Sequence, residues 1–268
     1  MHYHSVLTIA GSDSGGGAGV QADIKTISAC GCYASSAITA VTVQNTLGVT
    51  DVFPVPSTVV AAQIHAVLSD IGADAIKIGM LHSADIVDHI AATLVPFSVP
   101  HMVLDPVMVS TSGHRLIEET AIDALCRQLI PHATVITPNI PEAEILLGAE
   151  ISSQADMPAA VRALSDKLGV SVLLKAGHLV EESLIDYLYC ADSGQIIDLP
   201  SHRLDTVNTH GTGCTLSSAL AAFLARGFAL PDAARAAKDY IATAIAAGAN
   251  YKIGHGHGPV HHFHDFWK

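Results

Sequence analysis

An alternation repeated along the whole chain most narrows what it can fold into. Short apolar, β-branched runs stop at Gly, Asp, Asn or Lys, and longer segments with helical spacing follow them. Strands are expected at 6–10, 36–43, 51–55, 75–78, 102–104, 134–137 and 172–174, with an edge pair at 184–189 and 195–199. Helices are expected at 20–29, 58–69 with Ser57 as cap, 83–94, 118–129, 141–147, 158–168, 212–226 and 231–248. Such an order implies an α/β fold with a mostly parallel sheet covered on both faces. Half of the residues are apolar and only 14% are charged, which suits a large core. No stretch reads as a linker, so one domain over 1–268 is the expectation.

Charge removes several classes of function. Asp and Glu number 25 against 13 Lys and Arg, a formal net charge of -12, which argues against a nucleic-acid surface or an anionic membrane as partner. A small phosphate ligand needs only a local positive site and stays open. The first residues lack a basic stretch followed by an apolar one, and no apolar run is long enough to span a bilayer. Five dispersed cysteines suit reduced thiols better than a disulfide framework. A cytoplasmic location follows as an expectation.

Chemistry-bearing residues fall where the expected strands end. Asp13, Gln44, Asp105, Asn139, Glu142 and Lys175 all follow strand C-termini, which share one edge of a parallel sheet, the edge where ligands bind. Asp105 and Glu142 are carboxylates suited to Mg²⁺ together with phosphate oxygens. Asn139 suits a phosphate or a metal-bound water, and Lys175 meets a phosphate as a point charge. Gln44 offers an amide that matches a polar heterocycle. Asp23, on the first helix, either accepts a hydrogen bond from a substrate hydroxyl or is a solvated helix-face charge. Glu142 also has a plainer reading, a first-turn carboxylate complementing a helix dipole.

The stretch 207–215 reads as a loop turning into a helix, with Gly211, Thr212 and Gly213 at the turn. Unpaired N–H groups and the helix dipole suit an anion there. Cys214 stands in the first turn, where a thiol ionises more easily. His210 is a rival base, although a backbone-bonded structural role fits it better. The earlier loop 11–19 has neither the dinucleotide fingerprint, since Val20 stands where Gly or Ala is needed, nor the Lys-Ser/Thr pair of a Walker loop. Histidines 255, 257, 261, 262 and 264 lack the spacing of a zinc site.

Together these motifs resemble the ribokinase-like superfamily, and within it the hydroxymethylpyrimidine/phosphomethylpyrimidine kinases of thiamine biosynthesis. The similar stretches are 11–26, 39–46, 77–81, 105–108, 137–143, 175–178, 208–215 and 258–264, in order over almost the full length. The resemblance implies a three-layer α/β/α sandwich, usually a homodimer, using ATP and Mg²⁺. It implies two successive phosphorylations of 4-amino-5-hydroxymethyl-2-methylpyrimidine. By position, Gln44 would bind the pyrimidine, with Gly11, Asp23, Met80 and Val107 around it. Asp105, Asn139, Glu142 and Lys175 would hold Mg-ATP, and 211–214 would form the anion hole. Cys214 stands where sugar kinases of the superfamily usually have Asp. Gly15 and Ala176 depart from the common Ser and Gly. A pyridoxal kinase and a non-catalytic pyrimidine-binding module are the rival readings.

Overall fold

The computed structural model describes residues 2–108, 117–179, 181 and 183–267. Nine strands form one sheet: β1 (Ser5–Asp13), β2 (Tyr33–Asn45), β3 (Gly48–Pro54), β4 (Ala75–Ile78), β5 (His101–Leu104), β6 (Val135–Ile136), β7 (Ser171–Leu174), β8 (Ser183–Cys190) and β9 (Gln195–His202). Their spatial order is β3-β2-β1-β4-β5-β6-β7-β8-β9. From β2 to β7 the pairs are parallel, whereas β3, β8 and β9 add antiparallel edges. The helices are α1 (Gly19–Ala29), α2 (Ser57–Asp70), α3 (Ala84–Leu94), α4 (Glu119–Gln128), α5 (Ile140–Leu147), α6 (Met157–Leu168), α7 (Thr212–Ala225) and α8 (Leu230–Gly248).

Two hydrophobic clusters lie on opposite faces of the sheet because successive strand residues point to opposite sides. Leu7, Ile9, Ile76, Ile78, Leu104 and Ile136 pack with α2 to α6. Val6, Ala75, Val103 and Val135 pack with α1, α7 and α8. The result is the expected α/β/α sandwich with a mostly parallel sheet.

Several boundaries differ from expectation for identifiable reasons. Ser57 is the first helical residue of α2, not its cap; Pro56 holds the cap position, where its fixed φ suits the entry. β1 and β2 run on to Asp13 and Asn45, past Ile78 of β4, which pairs with Ile9. Asp13 and Gln44 therefore sit inside strands and not after them. A register shift between Ala10 and Ser12 keeps the extension paired with β2, and β3 folds back on β2 as a hairpin. β1 leads to β2 on one side, whereas β4 to β7 extend on the other. The crevice between the ends of β1 and β4 is a topological switch point, the position where open α/β sheets bind ligands.

Candidate active site

The glycine-rich loop closes on a carboxylate of its own. Asp13 accepts from the N–H groups of Gly15 (2.7 Å), Gly17 (3.0 Å) and Ala18 (2.8 Å), and His210 Nε2 lies 2.9 Å away. Burial opposes the charged form, but the His210 contact and the backbone donors hold the Asp13 carboxyl below its ordinary value. These glycines thus serve an internal anion. His210 does more than its backbone contact with Gly258: its ring ties loop 208–215 to loop 13–19. Gln44 Oε1 accepts from Thr42 Oγ1 (3.0 Å), and Gln44 Nε2 is 3.2 Å from His210 Nε2. With a proton directed at Asp13, that nitrogen offers no lone pair to the amide, which remains available to a ligand.

Asp23 takes neither position expected of it. It is fully buried behind the cavity wall, accepting from Thr8 Oγ1 (2.6 Å), Ser218 Oγ (2.7 Å) and Lys77 Nζ (2.9 Å to each oxygen). Lys77 opens the stretch 77–81 that carries part of the resemblance, but no role was expected of it. It sits in the middle of β4 on the face shared with Ala75, opposite Asp23 of α1 and Ser218 of α7. A lone lysine in the apolar run 75–78 was the available signal.

Further along the edge, Asp105 Oδ1 receives Lys175 Nζ (2.8 Å) and Thr137 Oγ1 (2.9 Å). Burial opposes ionisation of Asp105, but Lys175 and Lys77 outweigh it and lower the carboxyl. Asn139 and Glu142 form a reciprocal capping box at α5, with Glu142 N donating to Asn139 Oδ1 (2.9 Å) and Asn139 N to Glu142 Oε2 (2.8 Å). The plainer reading of Glu142 is therefore correct as far as it goes. Yet burial pushes its carboxyl up to about 7, and Asp105 adds to the rise against the pull of Lys175. Two neighbouring buried carboxylates sharing one lysine form a donor set that a hard dication fits.

Between the two halves lies the start of α7. Gly211 is its N-cap with φ 79°, and a Cβ there would stand 1.8 Å from the Gly17 carbonyl oxygen; only glycine permits this approach. Cys214 lies in the first turn. Its helix position does not decide its ionisation: burial pushes the thiol up to about 11, with Lys77 pulling down and Asp23 and Asp105 pushing up. A C-terminal strap backs the turn. His262 Nε2 meets Thr215 Oγ1 (3.1 Å), and burial lowers this imidazole to about 4, so it is neutral. Asn208 Nδ2 donates to the carbonyls of Gly248 (2.8 Å) and Tyr251 (2.7 Å). The His262 contact and the Asn208 contacts are structural.

One cavity of about 990 Å³ collects Gly11, Gln44, Met80 and Val107 at one end, Asn139, Glu142 and Lys175 at the other, and Asp105 with 211–214 between them. An amide-bearing pocket and a cationic, carboxylate-bearing pocket thus face each other across a helix N-terminus. The phosphomethylpyrimidine kinase family model matches residues 13–261, nearly the whole chain. The chain belongs to the phosphomethylpyrimidine kinase family. It is 48% identical over 263 residues to the hydroxymethylpyrimidine/phosphomethylpyrimidine kinase of Rhizobium meliloti, covering 98% of each chain. Among solved structures, it is similar to phosphomethylpyrimidine kinase from Clostridium difficile, at 41% identity and TM-score 0.79, covering 90% of this chain and 99% of that one. It is also similar to pyridoxal kinase from Staphylococcus aureus in complex with pyridoxal, at 35% identity and TM-score 0.89, covering 99% and 96%. The fold is thus ribokinase-like, and the protein is a kinase of this family.

Proposed function

We propose that this chain, acting as one kinase unit over 1–268, transfers the γ-phosphoryl group of ATP to the hydroxymethyl group of 4-amino-5-hydroxymethyl-2-methylpyrimidine. It then phosphorylates the resulting monophosphate to the diphosphate. The observation that carries this reading is the single cavity in which the Gln44 end and the Lys175 end meet at the start of α7.

Gln44 reads the polar edge of the ring, and Met80 and Val107 pack against it with Gly11 below. Gly11 allows this contact, since a Cβ there would lie 2.8 Å from Met80 Cε. Lys175 places a positive charge near the transferring group, and the N–H groups of 211–214 stabilise the charge that develops on it. In its thiolate form, a minor fraction of a thiol pushed up to about 11, Cys214 takes the proton of the hydroxyl as its oxygen attacks. Because phosphoryl transfer passes through a loose transition state, a base that acts late suffices. Asp105 and Glu142 would hold Mg²⁺, with Asn139 beside them, and the ion supplies neutralisation of phosphate charge when bound. Asp23 is assigned no substrate contact.

A cytoplasmic homodimer completes the reading. Among the described residues no helix is long and apolar enough to cross a membrane. Val41, Val43, Leu47 and Phe53 leave an exposed apolar strip on the β2–β3 hairpin, suited to a second copy. Pyridoxal is the competing acceptor, favoured by the close fold similarity to the Staphylococcus aureus enzyme. Mass spectrometry of products after incubation with Mg-ATP and either acceptor tests the reading. Pyrimidine monophosphate followed by diphosphate is expected. Phosphorylated pyridoxal alone would transfer the assignment to the competing acceptor, and no product from either would end it.

A further inference from the structure

Lys77 and Asp23 form an ion pair fully removed from solvent. Buried pairs of this kind are poor sources of stability, because losing hydration opposes their attraction. Their surroundings nevertheless hold them closely. Asp23 receives Thr8 Oγ1 and Ser218 Oγ as well as both bonds from Lys77. Gly79 leaves room for the ammonium, since a Cβ there would lie 2.8 Å from Lys77 Nζ. Ser218 stands one helical turn after Cys214 on the same face of α7, so the pair lies one turn below the sulfur. Lys77 also reaches the cavity wall that Cys214 lines.

Each element packed around Cys214 presents a charge or a dipole. Lys77 comes from β4, Asp23 from α1, Asp105 from the end of β5 and Lys175 from the end of β7. The Gly19 N–H, at the start of α1, adds a backbone dipole that favours the thiolate. Lys175 and Asp105 are already committed to each other at 2.8 Å. The Lys77–Asp23 pair is the one that lies beneath the thiol, joined to α7 through Ser218, one turn on from Cys214.

We infer that Lys77 and Asp23 are positioning residues that set the protonation of Cys214 from below, Lys77 favouring thiolate and Asp23 opposing it while fixing the ammonium. The inference rests on Cys214 as the proton acceptor. In that step the hydroxyl proton passes to the Cys214 thiolate, which becomes the thiol, the hydroxyl oxygen takes the phosphoryl group, and ADP leaves with the electrons of the broken P–O bond.

The pair's two members have opposite signs at the sulfur, so their removal has opposite effects. The full-length protein and its Lys77→Met, Asp23→Asn and Lys77→Met/Asp23→Asn variants are alkylated with iodoacetamide across a pH series. Mass spectrometry of the Cys214 peptide gives the rate. Lys77→Met is expected to raise the thiol midpoint by about one unit or more, slowing alkylation about tenfold at a fixed mildly alkaline pH. Asp23→Asn is expected to lower the midpoint. The double variant exchanges the ion pair for a neutral one and serves if a single variant fails to fold. Its midpoint is expected above that of the unaltered protein, because Lys77 reaches the cavity wall that Cys214 lines and Asp23 stands behind it. Unshifted midpoints, or single-variant shifts of the same sign, would overturn the inference. The kcat–pH profile, measured alongside, is expected to move with the alkylation midpoint. A moved midpoint with an unmoved profile would support the electrostatic assignment and remove Cys214 from proton transfer.

Discussion

Glu142 is asked both to cap a helix and to sit in a buried site beside a second carboxylate. The first task calls for a charged side chain and the second resists one. Burial and Asp105 raise its carboxyl from the ordinary 4.5 to about 7. At this residue the folded protein binds more protons than the unfolded chain across that window, so the Glu142 contribution to stability falls as pH rises through it. His262, lowered to about 4, contributes in the opposite sense over much of the same range, so the Glu142 part is read as a difference between variants. The thermal midpoint of metal-free Glu142→Gln, relative to that of the unaltered protein, is expected to rise between about pH 4.5 and about pH 7, and added Mg²⁺ should reduce that rise by favouring the ionised form. Cys214 makes a second residue-scale prediction. Cys214→Ala is expected to lower kcat by about 10²-fold or more, with little change in KM for the pyrimidine. A loss confined to KM, read from steady-state kinetics, would place the sulfur in binding instead of transfer.

Two loops far apart in sequence act as one element. Asp13 with His210, and Gly17 against Gly211, join the turn after β1 to the start of α7. Gly211→Ala would force a side chain into left-handed backbone and against the Gly17 carbonyl. A cost of at least about 1–3 kcal/mol is expected in denaturant unfolding, together with loss of activity as the loops separate. The C-terminal strap holds the same loop from behind. Asn208→Ala would remove the donor shared by the carbonyls of Gly248, Ala249 and Tyr251, of which Gly248 keeps the Tyr251 N–H, a cost of about 0.5–1.5 kcal/mol. The strap also reaches the β2–β3 hairpin, where His257 N donates to the Thr46 carbonyl at 2.9 Å. Hairpin, loop 208–215 and tail thus support one end of the cavity.

For the whole molecule, the antiparallel edges differ in what they leave exposed. On the β2–β3 side Val43 is 57% and Phe53 68% accessible, a cost in water that a second copy would relieve in the proposed dimer. Phe53→Asp is expected to halve the mass measured by light scattering after size exclusion. An unaltered protein that already runs as a monomer would sink the dimer.

Much of this was legible in residue order. Apolar periodicity fixes the type of most elements, since a period of two or of 3.6 leaves little choice of which face is buried. The strand-end rule places Asp105, Asn139, Glu142 and Lys175 at one edge from residue order alone, whereas Gln44 reaches the same cavity from within β2, which runs on past its expected end. The roles of Asp23, Lys77 and His210 were not legible, because each depends on partners distant in sequence: Lys77 is 54 residues from Asp23, and His210 is 197 from Asp13. The ionisation of Cys214 depends on tertiary structure in the same way. Its helix position favours thiolate, but burial and the charges gathered by four separate elements decide the balance, and only the closed sandwich brings those elements together.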